Sequence, residues 1–340
     1  MEYKNTYNNI NKEGKKVRGL EGKPLSEGWK SGCMEVWQFN NSDNSEISQK
    51  QQTDKNLSTF QPFNPSTNNN HTSIPPYFHT SNSPLAFFDS GVGGLTVFDK
   101  VKKLLPNENC LYFGDTKNMP YGEKSEEQLL EFADNIFKFF EKKGAKAVIM
   151  ACNTTSAVTY EKLKNNYSFK IYPIIQSVCK DLAKLDGVKK LAVIATPATI
   201  KSHAYSKEIA KYNSEINVIE QSAPNWVRIV EEHRINQPQS IEQVKEILDI
   251  ILPQKPDKIV LACTHYPYLM NVLKKFLPEE TFIDPAQNFA EIIKEDLEKN
   301  NLLNEKFEYE KFFVSSDPEN FKEASKMFYQ LNELPEVIEF

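Results

Sequence analysis

The sequence predicts an α/β protein of two similar halves, each a mainly parallel sheet flanked by helices, pseudo-twofold related, with the functional site in the cleft between them. Three observations carry this. From Leu85 onward, short apolar runs alternate with amphipathic stretches of helical period, the pattern of parallel strands joined by helical crossovers. "VIMACNTT" at 148–155 is echoed by "IVLACTHY" at 259–266, and "FFDSGVGGLTV" has a looser counterpart in "AVIATPATI", with Ser90 and Thr196 in matching places, as an internal duplication would leave them. Each of these segments runs from a strand into a turn, and open α/β sheets take ligands at the carboxyl ends of their strands. Facing halves would therefore bring both cysteines to one cleft.

In chain order, residues 1–84 come first and stand apart. From Asn40 to Asn82 the composition is mostly Asn, Ser, Gln, Thr and Pro, too poor in apolar surface to offset the entropy of ordering. A disordered, low-complexity N-terminal extension is expected, with "MEVWQF" its one candidate ordered patch. "LAFF" is the first strand and leads into the glycine-rich turn "DSGVGG". "CLYF" follows, then the loop "GDTKNMPYGEKS", marked by its Gly, Asp and Pro. Ser125, with Glu127 and Gln128, opens the helix "EEQLLEFADNIFKFFEKKG", which closes on Gly144. "AVIMA", "KIYPII", "KLAVIA" and "INVIE" are read as strands, "SIEQVKEILDIIL" as a helix, "KIVLA" and "TFI" as strands, "NFAEIIKEDLEKN" as a helix and "KFFV" as a last strand.

Composition narrows the function. The chain has 340 residues, 39% hydrophobic and 26% charged, ordinary for a globular protein large enough for two cores. A net charge of -5 offers no general attraction to nucleic acid or an anionic membrane, so a small-molecule substrate is expected, with no nucleic acid and no membrane partner. The five cysteines are odd in number, scattered and never spaced C-x-x-C, which favours reduced thiols in a cytoplasmic protein over a disulfide framework or zinc knuckle. No run reaches membrane-spanning length, and the N-terminus lacks the apolar core of a signal peptide. No His/Asp/Glu/Cys cluster has metal-ligand spacing, so no metal is expected.

The chemistry centres on Cys152 and Cys263. A lone strand-end cysteine reads best as a small buried apolar residue, but two in matching strand-Ala-Cys contexts point elsewhere. Each is expected at a helix start, where unpaired N–H groups and the helix dipole lower a thiol pKa that is ordinarily about 8.5. Two such acids on opposite sides of one carbon can invert its configuration, one removing a proton and the other supplying one to the far face. A hydrolase would need only one nucleophile. "FFDSGVGGLTV" fails as a dinucleotide loop, because position 96 is Thr and no Gly-Lys-Ser/Thr follows. Its backbone donors suit a small carboxylate instead, with Asp89 and Ser90 meeting a ligand amine or polarising a thiol. His265, two residues after Cys263, is read as an acid–base helper.

"FDSGVGGLTV", "GDTKNMPYG", "ACNTTSA" and "LACTHYP", in that order over about residues 85–340, closely resemble the aspartate/glutamate racemase superfamily, and within it the glutamate racemases. The resemblance implies cofactor-independent interconversion of L- and D-glutamate, serving peptidoglycan synthesis in a bacterial source. It implies Cys152 and Cys263 as the acid–base pair, Cys152 acting on D-glutamate and Cys263 on L-glutamate. Asp89, Ser90, Pro120, Tyr121, Gly122, Asn153, Thr154, Thr264 and His265 would contact substrate. Glu231, at the end of "QSAPNWVRIVE", would tune the cysteines with Asp89 and His265. The usual Gln-Ala-Cys-Pro-Leu-Phe is replaced here by Ala223 and Asn225-Trp226, a change in cleft packing. The implied domains are 85–177 plus 286–340, and 178–285, with a homodimer left open as the assembly. An aspartate or hydantoin racemase, a one-cysteine decarboxylase and a non-catalytic ligand-binding protein on the same frame are the alternatives, the decarboxylase disfavoured by the second cysteine.

Overall fold

The structure is a computed structural model that describes residues 82–340; the extension expected over 1–84 lies almost wholly outside the described residues. Among the described residues ten strands form two sheets, and every pairing is parallel. The first sheet contains β1 (Leu85–Asp89), β2 (Cys110–Gly114), β3 (Ala147–Met150), β4 (Lys170–Pro173), β9 (Glu310–Val314) and β10 (Glu336–Val337), in the order β10-β9-β2-β1-β3-β4. The second contains β5 (Lys190–Ala195), β6 (Asn217–Ser222), β7 (Lys258–Ala262) and β8 (Phe282–Ile283), in the order β6-β5-β7-β8.

β1 is central and buried along its whole length, as expected of a parallel strand covered on both faces. Its alternating side chains feed two cores. Phe87 packs edge-on against Phe98 on one face, and Phe88 against Phe137 on the other, at centroid distances of 4.9 and 5.9 Å. Register sets Leu85 opposite both Cys110 and Ala147, so β1, β2 and β3 end together and their turns open on one edge. The helix Glu126–Lys142 starts with a full capping box: the Gln128 N–H donates to Ser125 Oγ, and the Ser125 N–H to Gln128 Oε1.

The sequence overestimated one strand. "KIYPII" stops pairing at Pro173, and Ile174 opens the helix Ile174–Leu182, because the buried face of that helix continues the apolar run without a break. β10 was not foreseen, being a two-residue exposed edge strand with no apolar alternation. After β8 the chain returns along the helix Pro285–Lys299, which packs on the helices Leu95–Leu104 and Ile174–Leu182, and β9 then pairs with β2. Buried Lys146 secures this return. Its Nζ meets Glu108 at 2.6 Å and donates to the Leu302 carbonyl and Asn304 Oδ1. Among the described residues no helix is long and apolar enough to cross a membrane.

Candidate active site

The first sheet supplies one wall. After β1 the chain turns through Ser90–Gly94 into the helix Leu95–Leu104, and the buried Asp89 carboxylate accepts the Gly91 N–H at 3.0 Å. The glycines serve close approach. A Cβ on Gly93 would stand 2.5 Å from both Thr264 Oγ1 and His265 Cε1, distances no packed atom tolerates. After β2, the Tyr121 hydroxyl donates to Asp115, which is also held by Ser315 Oγ at 2.6 Å, so the Pro120–Gly122 backbone is fixed from behind. After β3, Cys152 is the residue that caps the helix Asn153–Val158.

The second sheet supplies the other wall. After β5, Thr196 caps the helix Pro197–Ser202, and its hydroxyl meets that of Thr154 at 2.9 Å. After β7 come Cys263, Thr264 and His265. His265 Nδ1 lies 3.8 Å from Cys263 Sγ, and Nε2 meets Glu231 Oε1 at 2.5 Å, with Glu231 at the end of the helix Trp226–Glu231. Three further contacts cross between the walls. Thr264 Oγ1 donates to Asp89 Oδ2 at 3.3 Å, the Tyr205 hydroxyl to Asn153 Oδ1 at 2.7 Å, and Arg228 to Glu123 at 2.8 Å. Both cysteines line one cavity of about 30 Å³.

Charge is distributed unevenly around the two thiols. Burial raises the Asp89 carboxyl from 3.8 to about 6, opposed by His265 and by the Gly91 and Gly94 N–H groups. Burial also pushes the Cys152 thiol up to about 12, and Asp89 adds to the rise. For His265, burial alone would lower the pKa, but the Glu231 carboxylate and hydrogen bonds to Cys263 and Glu231 raise it well above 6.5. The imidazolium beside Cys263 is therefore the stable form at neutral pH. A cation stands next to one thiol, while an anion acts on the other.

Ser90, Pro120, Tyr121, Gly122, Cys152, Asn153, Thr154, Cys263, Thr264 and His265 all face the cavity, and Asp89 and Glu231 sit directly behind it on Thr264 and His265. Two expectations about the thiols need correction. Cys152 does begin a helix, but burial outweighs the helix dipole and its thiol is raised, not lowered. Cys263 does not begin an α-helix: a short 3₁₀ turn, Tyr266–Leu269, follows three residues later. Glu123, Pro197, Pro224 and Val227 also line the cavity and were not singled out, and Thr196, matched to Ser90 by the duplication but not assigned to the site, lines it too. The strand-Thr-Pro echo in "AVIATPATI" was the available signal for Thr196.

Comparisons with known proteins agree with this geometry. Residues 93–292 match the family described as Asp/Glu/Hydantoin racemase. A glutamate racemase of Trichodesmium erythraeum is 38% identical over 248 residues, covering 72% of this chain and 91% of its own. The crystal structure of glutamate racemase from Francisella tularensis in complex with D-glutamate superposes with a TM-score of 0.71 at 32% identity, over 76% of this chain and 98% of that one. Glutamate racemase from Thermus thermophilus, in complex with β-chloro-D-alanine, gives a TM-score of 0.68 at 30% identity, over 76% and 98%. With the family signature covering more than half of the chain and these relatives matched nearly end to end, the chain belongs to the Asp/Glu/Hydantoin racemase family.

Proposed function

We propose that this chain interconverts L- and D-glutamate by a two-thiol mechanism without cofactor. The observation that carries the proposal is that Cys152, after β3, and Cys263, after β7, come from different sheets to line one cavity. The relatives named above as glutamate racemases favour glutamate as substrate. The two sheets are read as the cores of two α/β domains, 85–177 with 286–340, and 178–285.

In the proposed step, one thiolate takes the Cα proton and the electron pair left on Cα delocalises toward the α-carboxylate. The opposite thiol gives its proton to the other face. One bond to hydrogen breaks, one forms, and the sulfur protonation states exchange, so nothing else is consumed. Asp89 and Ser90 receive the substrate ammonium, whose charge offsets the Asp89 field on Cys152. Thr154, Thr264, Asn153 and the Tyr121–Gly122 backbone hold the carboxylates. Glu231 acts through His265, keeping a cation beside Cys263. Donors aimed at the developing carbanion in a closed site supply the main electrostatic gain.

The test separates the two thiols. Cys152→Ser and Cys263→Ser should each abolish racemisation in both directions, followed by circular dichroism with L- and D-glutamate, and with L-aspartate as the competing substrate. A β-leaving-group analogue of glutamate requires proton removal but no reprotonation at Cα. With it, Cys152→Ser should process the L-form and Cys263→Ser the D-form. Loss of the same enantiomer in both variants, or full racemase activity in Cys263→Ser, would overturn the two-thiol reading. Preferred turnover of aspartate would overturn only the substrate.

A further inference from the structure

We propose that Tyr205 is a positioning residue that reaches across the cleft and turns the Asn153 side-chain amide so that its NH₂ end meets a substrate carboxylate. The inference rests on the glutamate reading and deepens it by adding a residue to carboxylate recognition. Tyr205 lies on the helix Ala204–Tyr212, which follows β5 in the second half, whereas Asn153 opens the helix after Cys152 in the first. The two are 1% and 3% exposed. The phenol donates to Asn153 Oδ1 at 2.7 Å.

The sense of this bond decides what the amide can do. Among the described residues, Asn153 Oδ1 is the hydrogen-bond acceptor recorded for the Tyr205 proton, and burial holds that phenol well above its ordinary pKa, so it remains a donor at any working pH. The amide oxygen is thereby committed. Nδ2 is buried and has no hydrogen-bond partner, although buried polar groups are nearly always paired. Asn153 lines the cavity beside Cys152 and Thr154, so its spare donors suit an anionic oxygen.

An amide's two ends are nearly the same size, and only the hydrogen-bond network distinguishes them. Without the phenol proton nothing holds Oδ1 away from the ligand. A half-turn would present an oxygen lone pair to a carboxylate, replacing attraction with repulsion. Because the bond spans the cleft, the amide is set correctly only when the two halves are together.

The experiment is a double-mutant cycle in the full chain with Tyr205→Phe, which removes one oxygen, and Asn153→Ala. A carboxylate contact made equally in ground and transition states affects KM rather than kcat, so Tyr205→Phe should raise KM for both glutamate enantiomers about tenfold while kcat changes less than about threefold. In the Asn153→Ala background, Tyr205→Phe should leave KM unchanged, because its effect runs through that amide. The melting midpoint, measured on all four proteins, separates this from loosened packing. An unchanged KM in Tyr205→Phe, or the same KM increase in both backgrounds, would overturn the proposal. If the wild-type protein turned over aspartate but not glutamate, the substrate reading would fall, and the cycle read with aspartate would still decide the role of Tyr205. Turnover of neither by the wild type would overturn both.

Discussion

Asp89 holds its proton in the folded protein up to about pH 6, whereas its ordinary value is 3.8. Between those values the folded state binds more protons than the unfolded chain, so this group makes stability fall as pH rises across the window, and the loss is complete above 6. Asp89→Asn should remove that contribution. Urea titrations of both proteins from pH 4 to 6 should show the wild type losing stability relative to the variant, by at most about 1.4 kcal/mol per pH unit; parallel pH profiles would show that Asp89 is not the buried acid described. The identity of the site was legible at this scale, the ionisation was not. Strand-Ala-Cys repeated twice sufficed to single out both thiols. The rise of Cys152 depends on its burial and on Asp89, and neither can be read from the residues around position 152.

Turns carry the site, and the tightest is the one after β1. Its backbone runs so close to the β7 turn that a Cβ on Gly93 would meet Thr264 and His265 at 2.5 Å. Gly93→Ala must displace one turn against the other. Overpacking of this kind costs about 1–3 kcal/mol, but shifting acid–base groups by about an ångström should lower kcat on the order of a hundredfold. Steady-state kinetics beside a melting curve will compare the two; a kcat near wild type would mean that the turn yields without moving His265. Element reading from the sequence worked where one period dominated, as in the capped helix Glu126–Lys142. It failed at "KIYPII", where a buried strand and the buried face of the next helix share one apolar run. It failed again at β10, whose exposed residues carry no pattern at all.

At the scale of the whole molecule, the duplication in the sequence becomes two parallel sheets whose turns share a cavity. The echo between "VIMACNTT" and "IVLACTHY" foretold the pairing of the cysteines. It could not foretell the contacts that join the halves, because Thr264 with Asp89, Tyr205 with Asn153 and Arg228 with Glu123 are separated by 175, 52 and 105 positions and belong to no local motif. The last of these has a kinetic consequence. Glu123 lines the cavity and pairs with Arg228 from the opposite wall, so this pair resists any parting of the walls as an amino acid enters or leaves. Both side chains are about half exposed, and dissolved ions screen such pairs over about 10 Å at 0.1 M and about 3 Å at 1 M. Added sodium chloride should therefore speed the opening of the wild-type enzyme, seen as faster release of bound glutamate in stopped-flow displacement. Arg228→Gln should release it quickly at every salt concentration. Equal salt dependence in the two proteins would show that this pair does not govern opening; otherwise the ionic strength of the surrounding medium becomes a control on residence time.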